Sequence, residues 1–224
     1  MWLLKINVIT NIIAFIIGCY QYRYFTKELK FVFYFVAFGV ITEIYSRFHL
    51  HFIMKNGLPI GHFYFPIAIF IAGMFYLQIL KDFIKPKYII SIIGVYEIYC
   101  IINPIFVQGL FEYPSLTGSV GALILFLFSV AYFIKVMVDA NIKKLSDEPL
   151  IWINTAFLVY YTVGFFYHSL YNLRTRASMD VALFAIKLFA VLNLTFYLII
   201  AIAFILTVKS NNIKSYKKVK TLKK

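Results

Sequence analysis

Charged side chains are scarce in this sequence. They make up 14% of its 224 residues, and only nine residues are acidic. A water-soluble domain carries about 25% charged residues. Hydrophobic residues make up 62% of the chain, and the mean hydropathy is +0.85. These values exclude a soluble globular protein and predict an all-α integral membrane protein.

Hydrophilic runs long enough to fold outside a membrane are also missing. Seven apolar stretches are long enough to cross a hydrocarbon core, which takes roughly 20 helical residues. These predicted spans are 3–21, 31–53, 62–80, 88–106, 116–138, 150–171 and 181–208. They lack the strict in/out alternation of barrel strands, which favours helices. We therefore expect a polytopic seven-helix bundle over residues 1–208 and a basic tail over 209–224.

Motifs for catalysis, cofactors and metals are absent as well. The only two cysteines, Cys19 and Cys100, fall in different predicted spans, so neither a disulfide nor a metal site is expected from them. No nucleophile motif, Gly-rich phosphate loop or H-E-x-x-H motif occurs. His49 and His51 are two residues apart, so a regular helix cannot direct both at one zinc ion. We expect no catalytic residue, cofactor or metal.

The net charge of +13 is spread along the chain in a pattern that predicts topology rather than nucleic-acid binding. Basic residues on one side are Arg23, Lys27, Lys30, Lys81, Lys85, Lys87, Lys135, Lys143, Lys144 and seven lysines after the last span. The other side has Lys5, Lys55, Arg174 and Arg176, with Arg47 nearby. The positive-inside rule then predicts an outside amino terminus and a cytoplasmic carboxyl terminus. The basic tail is expected to lie on anionic lipid head groups of the bilayer.

Ionisable residues inside the predicted spans are few, and they tend to face the bundle interior or water because exposure to lipid is costly. With the predicted topology, the four histidines lie at the outer face, Lys187 lies just below them, and Glu43 and Glu97 lie deeper. We predict an outward-facing polar pocket. Its residues are Glu43, Arg47, His51, His62, Glu97, His168 and Lys187.

A purely structural role is the alternative for part of this set. Glu43, Arg47 and His51 are spaced four residues apart and so share one face of a helix. A Glu43–Arg47 ion pair would neutralise two charges that are expensive to leave alone in the membrane.

Three segments carry a family resemblance: "GHFYFPIAIFIAGMFY" from residue 61, "EPLIWINTAFLVYYTVGFF" from 148 and "LNLTFYLIIAIAF" from 192. With His62, Tyr64, Pro66, Trp152 and Asn154, they resemble a group of small, uncharacterised seven-helix membrane proteins of Bacteroidetes. The resemblance implies a multi-pass protein of the bacterial inner membrane. Members often accompany sensor histidine kinases, which implies a signalling partner. Where the group often has a glutamate, this chain has Ala68, so no role of that acid is carried over.

The clustered polar residues and the lack of an effector domain predict a receptor-like or sensory protein that signals to a cytoplasmic or membrane partner. A small-solute transporter is the alternative. An offset of 119 residues aligns Ala37 with Ala156 and His49 with His168, as three-helix repeats joined by a fourth helix would. An intramembrane enzyme comes third, and it requires two titratable side chains within hydrogen-bond reach in a wet cavity.

Overall fold

The computed structural model of the protein describes residues 2–52, 56–139 and 147–222, and the side chains that fall between 6 and 207 in these ranges. The described chain is helical and contains no strand, which confirms the all-α prediction. Its helices are α1 (Trp2–Gln21), α2 (Lys27–Phe52), α3 (Leu58–Leu80), α4 (Pro86–Phe106), α5 (Ser115–Asp139), α6 (Pro149–Ser169), α7 (Tyr171–Arg176) and α8 (Met179–Leu222).

Six of these helices are long and apolar enough to cross a membrane: α2, α3, α4, α5, α6 and the Met179–Thr207 part of α8. The chain is thus a multi-pass membrane protein. The predicted span at 3–21 forms the 20-residue helix α1, whose membrane crossing stays a prediction. Residues 209–222 of the predicted tail continue α8 as helix, and their side chains lie outside the described set, as do those of Lys5, Lys55, Lys143 and Lys144.

The helices begin and end where short polar or proline-containing segments interrupt the apolar runs. Pro86 and Pro149 stand in the first turns of α4 and α6, where a missing backbone N–H costs nothing. The Asn56 side-chain oxygen accepts a 3.0 Å hydrogen bond from the Leu58 N–H at the start of α3. Inside the membrane, a continuous helix satisfies its own backbone groups, so the apolar runs between these breaks fold as unbroken helices.

The long helices pack as a closed ring in the order α1, α2, α3, α5, α6, α8, with α8 against α1. Helix α4 lies outside the ring, against α3 and α5. The α2–α3, α4–α5 and α6–α8 connectors share one end of the bundle. We call this the histidine end, because His49, His51, His62 and His168 all lie there. The opposite end, with Lys27, Lys81 and Lys135, is the lysine end.

Aromatic rings fill the middle of the ring of helices. Phe157 of α6 is fully buried, with its ring centroid 5.5 Å from that of Phe35 on α2, 5.8 Å from that of Phe75 on α3 and 5.3 Å from that of Phe196 on α8. Tyr76 of α3 meets Phe157 edge-on at 5.8 Å. This aromatic cluster joins four helices of the ring at one level.

Small residues let α5 approach its neighbours closely. A Cβ added at Gly121 would lie 2.7 Å from the Tyr96 hydroxyl oxygen and 2.9 Å from Cγ1 of Ile69. The same Tyr96 hydroxyl donates a 3.0 Å hydrogen bond to the Thr117 carbonyl. Close approach through small residues is the usual way in which membrane helices gain packing contacts.

We expect Gly121→Ala to destabilise the protein and Gly94→Ala to leave it unchanged or slightly more stable. The methyl group at Gly121 would push against Tyr96 and Ile69, whereas a Cβ at Gly94 on the same bundle meets nothing within 4 Å. Overpacking costs about 1–3 kcal/mol, which lowers the thermal midpoint by roughly 2–4 °C per kcal/mol. Thermal unfolding in detergent measures both variants. Equal midpoints for the two would contradict the close packing of α5.

Candidate functional site

A polar cavity of about 390 Å³ lies at the histidine end, between α1, α2, α3, α6 and α8. Its polar lining residues are Asn7, Asn11, Thr42, Glu43, Ser46, Tyr64, Tyr167, Asn193 and Tyr197. Its remaining lining residues are Gly39, Gly57, Ile60, Gly61, Ile186, Phe189 and Ala190. A volume of this size accommodates a small solute.

Helix α2 presents one face to the cavity. Gly39, Thr42, Glu43 and Ser46 follow the spacing of one helix face, and all four line the cavity. The Thr42 hydroxyl donates a 2.8 Å hydrogen bond to the Phe38 carbonyl of its own helix. This face therefore brings hydroxyl groups and one carboxylate to the cavity wall.

The predicted Glu43–Arg47 ion pair forms. Arg47 Nη2 lies 2.9 Å and Arg47 Nε lies 3.0 Å from the same carboxylate oxygen, Oε1 of Glu43. The Glu43 side chain is 38% exposed and the Arg47 side chain is 49% exposed, so the pair contributes only about 0–1 kcal/mol of stability. No described residue donates a hydrogen bond to Oε2 of Glu43. Glu43 is thus both a partner of Arg47 and part of the cavity wall.

Two amides on α1 stand opposite this carboxylate wall. Asn7 and Asn11 are four residues apart, line the cavity and have buried Oδ1 atoms that accept no hydrogen bond from a described residue. Asn11 is only 7% exposed. A buried amide atom without a partner costs about 1–3 kcal/mol, and such atoms are rare in folded proteins. A bound molecule with hydrogen-bond donors could therefore satisfy these two amide oxygens.

Aromatic residues close the inner side of the cavity. Gly39 allows the Tyr197 hydroxyl to approach α2, since a Cβ there would lie 2.5 Å from it. Tyr64 stacks on Phe38, with ring centroids 5.7 Å apart and planes 9° apart. Asn193 on α8 donates a 3.3 Å hydrogen bond to the Tyr160 hydroxyl on α6.

Two of the predicted pocket histidines hold the α4–α5 connector instead of lining the cavity. His62 Nε2 lies 3.1 Å from the Glu112 carbonyl, which can only accept, so Nε2 carries the proton. Tyr113 and His168 meet at 2.7 Å between the hydroxyl and Nδ1. Burial raises the pKa of Tyr113, so its hydroxyl keeps its proton, and the tautomer of His168 decides which of the two donates. Both histidines are buried, and we call this pair of contacts the histidine clasp.

A stack of rings and one guanidinium group continues from the clasp to the cavity wall. The Tyr113 and Tyr171 ring centroids are 4.3 Å apart, and Cζ of Arg174 lies 3.9 Å from the Tyr167 ring centroid. On the cavity side, Tyr167 stacks on Phe189 at 4.1 Å with the planes 10° apart. Cation–π and ring stacking contacts thus fix the α6–α8 side of the cavity.

The remaining predicted pocket residues lie outside the cavity lining. His51 and Lys187 are exposed, and Arg47 reaches the cavity only through Glu43. Glu97 is half-buried on α4, outside the ring of helices, with an Oε1 atom that no described residue bonds. Of the predicted pocket residues, Glu43 alone is among the described lining residues of the cavity.

The residues that sequence reasoning missed are neutral ones. The predicted pocket residues are all ionisable, whereas Asn7, Asn11, Tyr64, Asn193 and Tyr197 carry no charge. One signal was present: Asn7 and Asn11 are four residues apart in an otherwise apolar run, the spacing of one helix face.

Metal-ligating side chains do not gather in the part of the chain that the structure describes. No three His, Cys, Asp or Glu side chains there are close enough to hold an ion. Cys19 and Cys100 are both free, on different helices. His49 lies in a separate environment, 5.7 Å from Tyr45 between ring centroids, and neither of its buried ring nitrogens has a hydrogen-bond partner among the described residues.

We expect His62→Ala to loosen the α4–α5 connector, because it removes one of the two contacts of the histidine clasp and strips the Glu112 carbonyl of its donor. Loss of such a bond costs about 1–3 kcal/mol. Cleavage after the exposed Glu112 by a glutamate-specific protease, followed by mass spectrometry, should accelerate. His51→Ala, at an exposed histidine of the same end, is the control and should cleave like the unmodified protein. Unchanged cleavage in His62→Ala would argue against the clasp.

Comparison of the chain with protein-family models, with curated proteins and with solved structures finds no significant match in any of the three.

Proposed function

We propose that this protein is a receptor-like sensory membrane protein that binds a small solute in the polar cavity of its histidine end and signals to a partner at the lysine end. The observation that carries the proposal is the cavity itself. Asn11, although nearly inaccessible, lines it with an amide whose Oδ1 accepts no hydrogen bond from a described residue, and Glu43 adds a carboxylate to the same space. Convergent polar groups in a concave site are the mark of a ligand pocket.

The proposed orientation has seven membrane-crossing helices, the amino terminus outside and the carboxyl terminus in the cytoplasm of a bacterial cell. Basic residues support it. Lys27, Lys30, Lys81, Lys85 and Lys87 lie at or beside the connectors of the lysine end, whereas the histidine end has few cations. In this orientation the cavity faces outward, where a solute can reach it from the periplasm.

A signalling partner would meet the lysine end. A second cavity there, of about 370 Å³, is lined by charged residues of both signs, including Glu28, Lys81, Lys135 and Asp139. Lys135 donates a 2.7 Å hydrogen bond to the Ile79 carbonyl near the end of α3. The partner that we propose is a sensor histidine kinase, on the strength of the Bacteroidetes resemblance, and the basic tail is proposed to rest on anionic lipid.

A small-solute transporter is the second candidate, and the order of the helices favours it. Exchanging α1, α2 and α3 for α5, α6 and α8 maps the packed pairs onto one another: α1 with α2 onto α5 with α6, α2 with α3 onto α6 with α8, and α1 with α8 onto α5 with α3. Helix α4 is then the link between two three-helix repeats.

An intramembrane enzyme is the third candidate. The described lining of the cavity includes one carboxylate and neither a second acid nor a histidine. That composition supplies a binding group rather than the acid–base pair that general catalysis uses.

Cysteine accessibility tests the cavity and separates the first two candidates. In a Cys19→Ser, Cys100→Ser background, Ser46→Cys places a thiol on the cavity wall. We expect a charged, membrane-impermeant thiol reagent to modify it in spheroplasts and not in inverted vesicles. Ser129→Cys, at a fully buried serine that bonds Tyr76, is the matched control and should stay unmodified from either side.

The outcomes divide clearly. Modification of Ser46→Cys from both sides of the membrane would favour the transporter over the receptor as the proposed function. No modification from either side would mean that the cavity holds no water, and the proposed function would fall.

The orientation has its own test. A fluorescent protein fused to the carboxyl terminus should fluoresce and an alkaline phosphatase fused there should be inactive, because the former matures in the cytoplasm and the latter in the periplasm. The reverse result would mean that the carboxyl terminus lies outside and that the cavity faces the cytoplasm.

A further inference from the structure

We infer that the cavity of the histidine end binds a small organic cation, an ammonium compound with a short apolar body. The inference rests on the proposed function, because it assigns a ligand class to the same site.

Charge is the first argument. Among the described residues that line the cavity, the one formal charge is the carboxylate of Glu43. The cations of the same end, Arg47, Arg174 and Lys187, are not in the lining. An anion would therefore meet a like charge whose neighbouring cation, Arg47, is outside the described lining, whereas a cation would meet an opposite charge in a partly desolvated space.

The second argument is Oε2 of Glu43, which accepts no hydrogen bond from a described residue. The two contacts between Arg47 and Glu43 both end on Oε1, at 2.9 Å and 3.0 Å. A carboxylate can accept several hydrogen bonds through each oxygen, so Oε2 remains able to receive an ammonium group. The hydroxyl oxygens of Thr42 and Ser46, on the same face of α2, are further acceptors near it.

Aromatic rings supply the third argument. Tyr64, Phe189 and Tyr197 line the cavity, and ring faces attract cations while also contacting an apolar body. The same chemistry already operates at the cavity wall, where Cζ of Arg174 lies 3.9 Å from the ring centroid of Tyr167, which is itself a lining residue. A carboxylate combined with aromatic faces is the composition that selects ammonium groups.

Arg47 is then a competitor of the ligand. It shares the Glu43 carboxylate, and the pair is exposed, so it holds the carboxylate only weakly. Removing Arg47 would free the carboxylate for the ligand, whereas removing the charge of Glu43 would abolish the attraction. The two substitutions therefore have opposite effects on cation affinity, although both break the same ion pair.

The experiment uses the purified full-length protein in nanodiscs and three probes at matched ionic strength: choline as the cation, erythritol as a neutral polyol and acetate as an anion. Calorimetry and thermal unfolding measure binding. We expect choline alone to bind and to raise the thermal midpoint. In Glu43→Gln, choline affinity should fall at least roughly ten-fold, as expected for loss of the attraction between opposite charges in a partly desolvated site. In Arg47→Gln it should rise roughly two- to five-fold, as expected for removal of a weak competing ion pair.

Asp180→Asn is the matched control, because it makes the same carboxylate-to-amide change at an exposed acid of the histidine end that is outside the lining. Its choline affinity should equal that of the unmodified protein. The inference is overturned if choline fails to bind, if Glu43→Gln binds it unchanged, or if Arg47→Gln binds it more weakly.

The failure of the inference differs from that of the proposed function. Binding of erythritol instead of choline, lost in Asn11→Leu, would keep a solute-binding cavity and reject the cation. An unreactive thiol in Ser46→Cys would reject the cavity itself.

Discussion

The aromatic contacts around Phe157 are the interaction on which the rest of the structure depends. In lipid, helices gain little from hiding apolar surface, so they associate through close packing. Rings from α2, α3 and α8 meet Phe157 of α6 at one level, so they fill the space between these four helices. Toward the histidine end the facing residues are small, among them Gly39, Gly61 and Ala190, and they do not fill the same width. The cavity is the space that this change of side-chain size leaves.

The histidines illustrate how a membrane protein uses polar groups at its edge. His62 and His168 are buried, and each bonds the connector between α4 and α5. In this connector, which is not helical, the two histidines bond the Glu112 carbonyl and the Tyr113 hydroxyl, polar groups that have no partner within a regular helix. Their gathering at one end follows from the alternation of helix directions, which brings those connectors together. It therefore reports on connector architecture rather than on a shared binding site.

Much of the fold could be predicted from the sequence, because long apolar runs leave the backbone no option except a helix. Helix α2 begins at Lys27 and α3 at Leu58, several residues before the apolar stretches predicted at 31 and 62, since helices continue through their polar ends. The Glu43–Arg47 contact was also predictable, because spacing within one helix fixes it. The radial direction of a side chain was not, since it depends on which helices become neighbours.

The cavity shows this limit most clearly. Asn7 and Asn193 face the same space from α1 and α8, helices at opposite ends of the chain that pack together to close the ring. No periodicity within either segment reveals that contact. The depth of the ionisable residues in the predicted spans indicated Glu43 correctly. It also indicated Glu97, which lies on α4 outside the ring.

The stack of Phe189, Tyr167 and Arg174 gives the cavity two walls of unequal stiffness. On the α6–α8 side, rings in contact and a guanidinium group leave the side chains little rotational freedom before any solute arrives. On the α1–α2 side, amide oxygens that accept no hydrogen bond from a described residue and a half-exposed ion pair can rearrange at small cost. A bound solute would therefore contact a rigid wall formed by α6 and α8 and an adjustable wall formed by α1 and α2. Any movement on binding would then occur in α1 and α2.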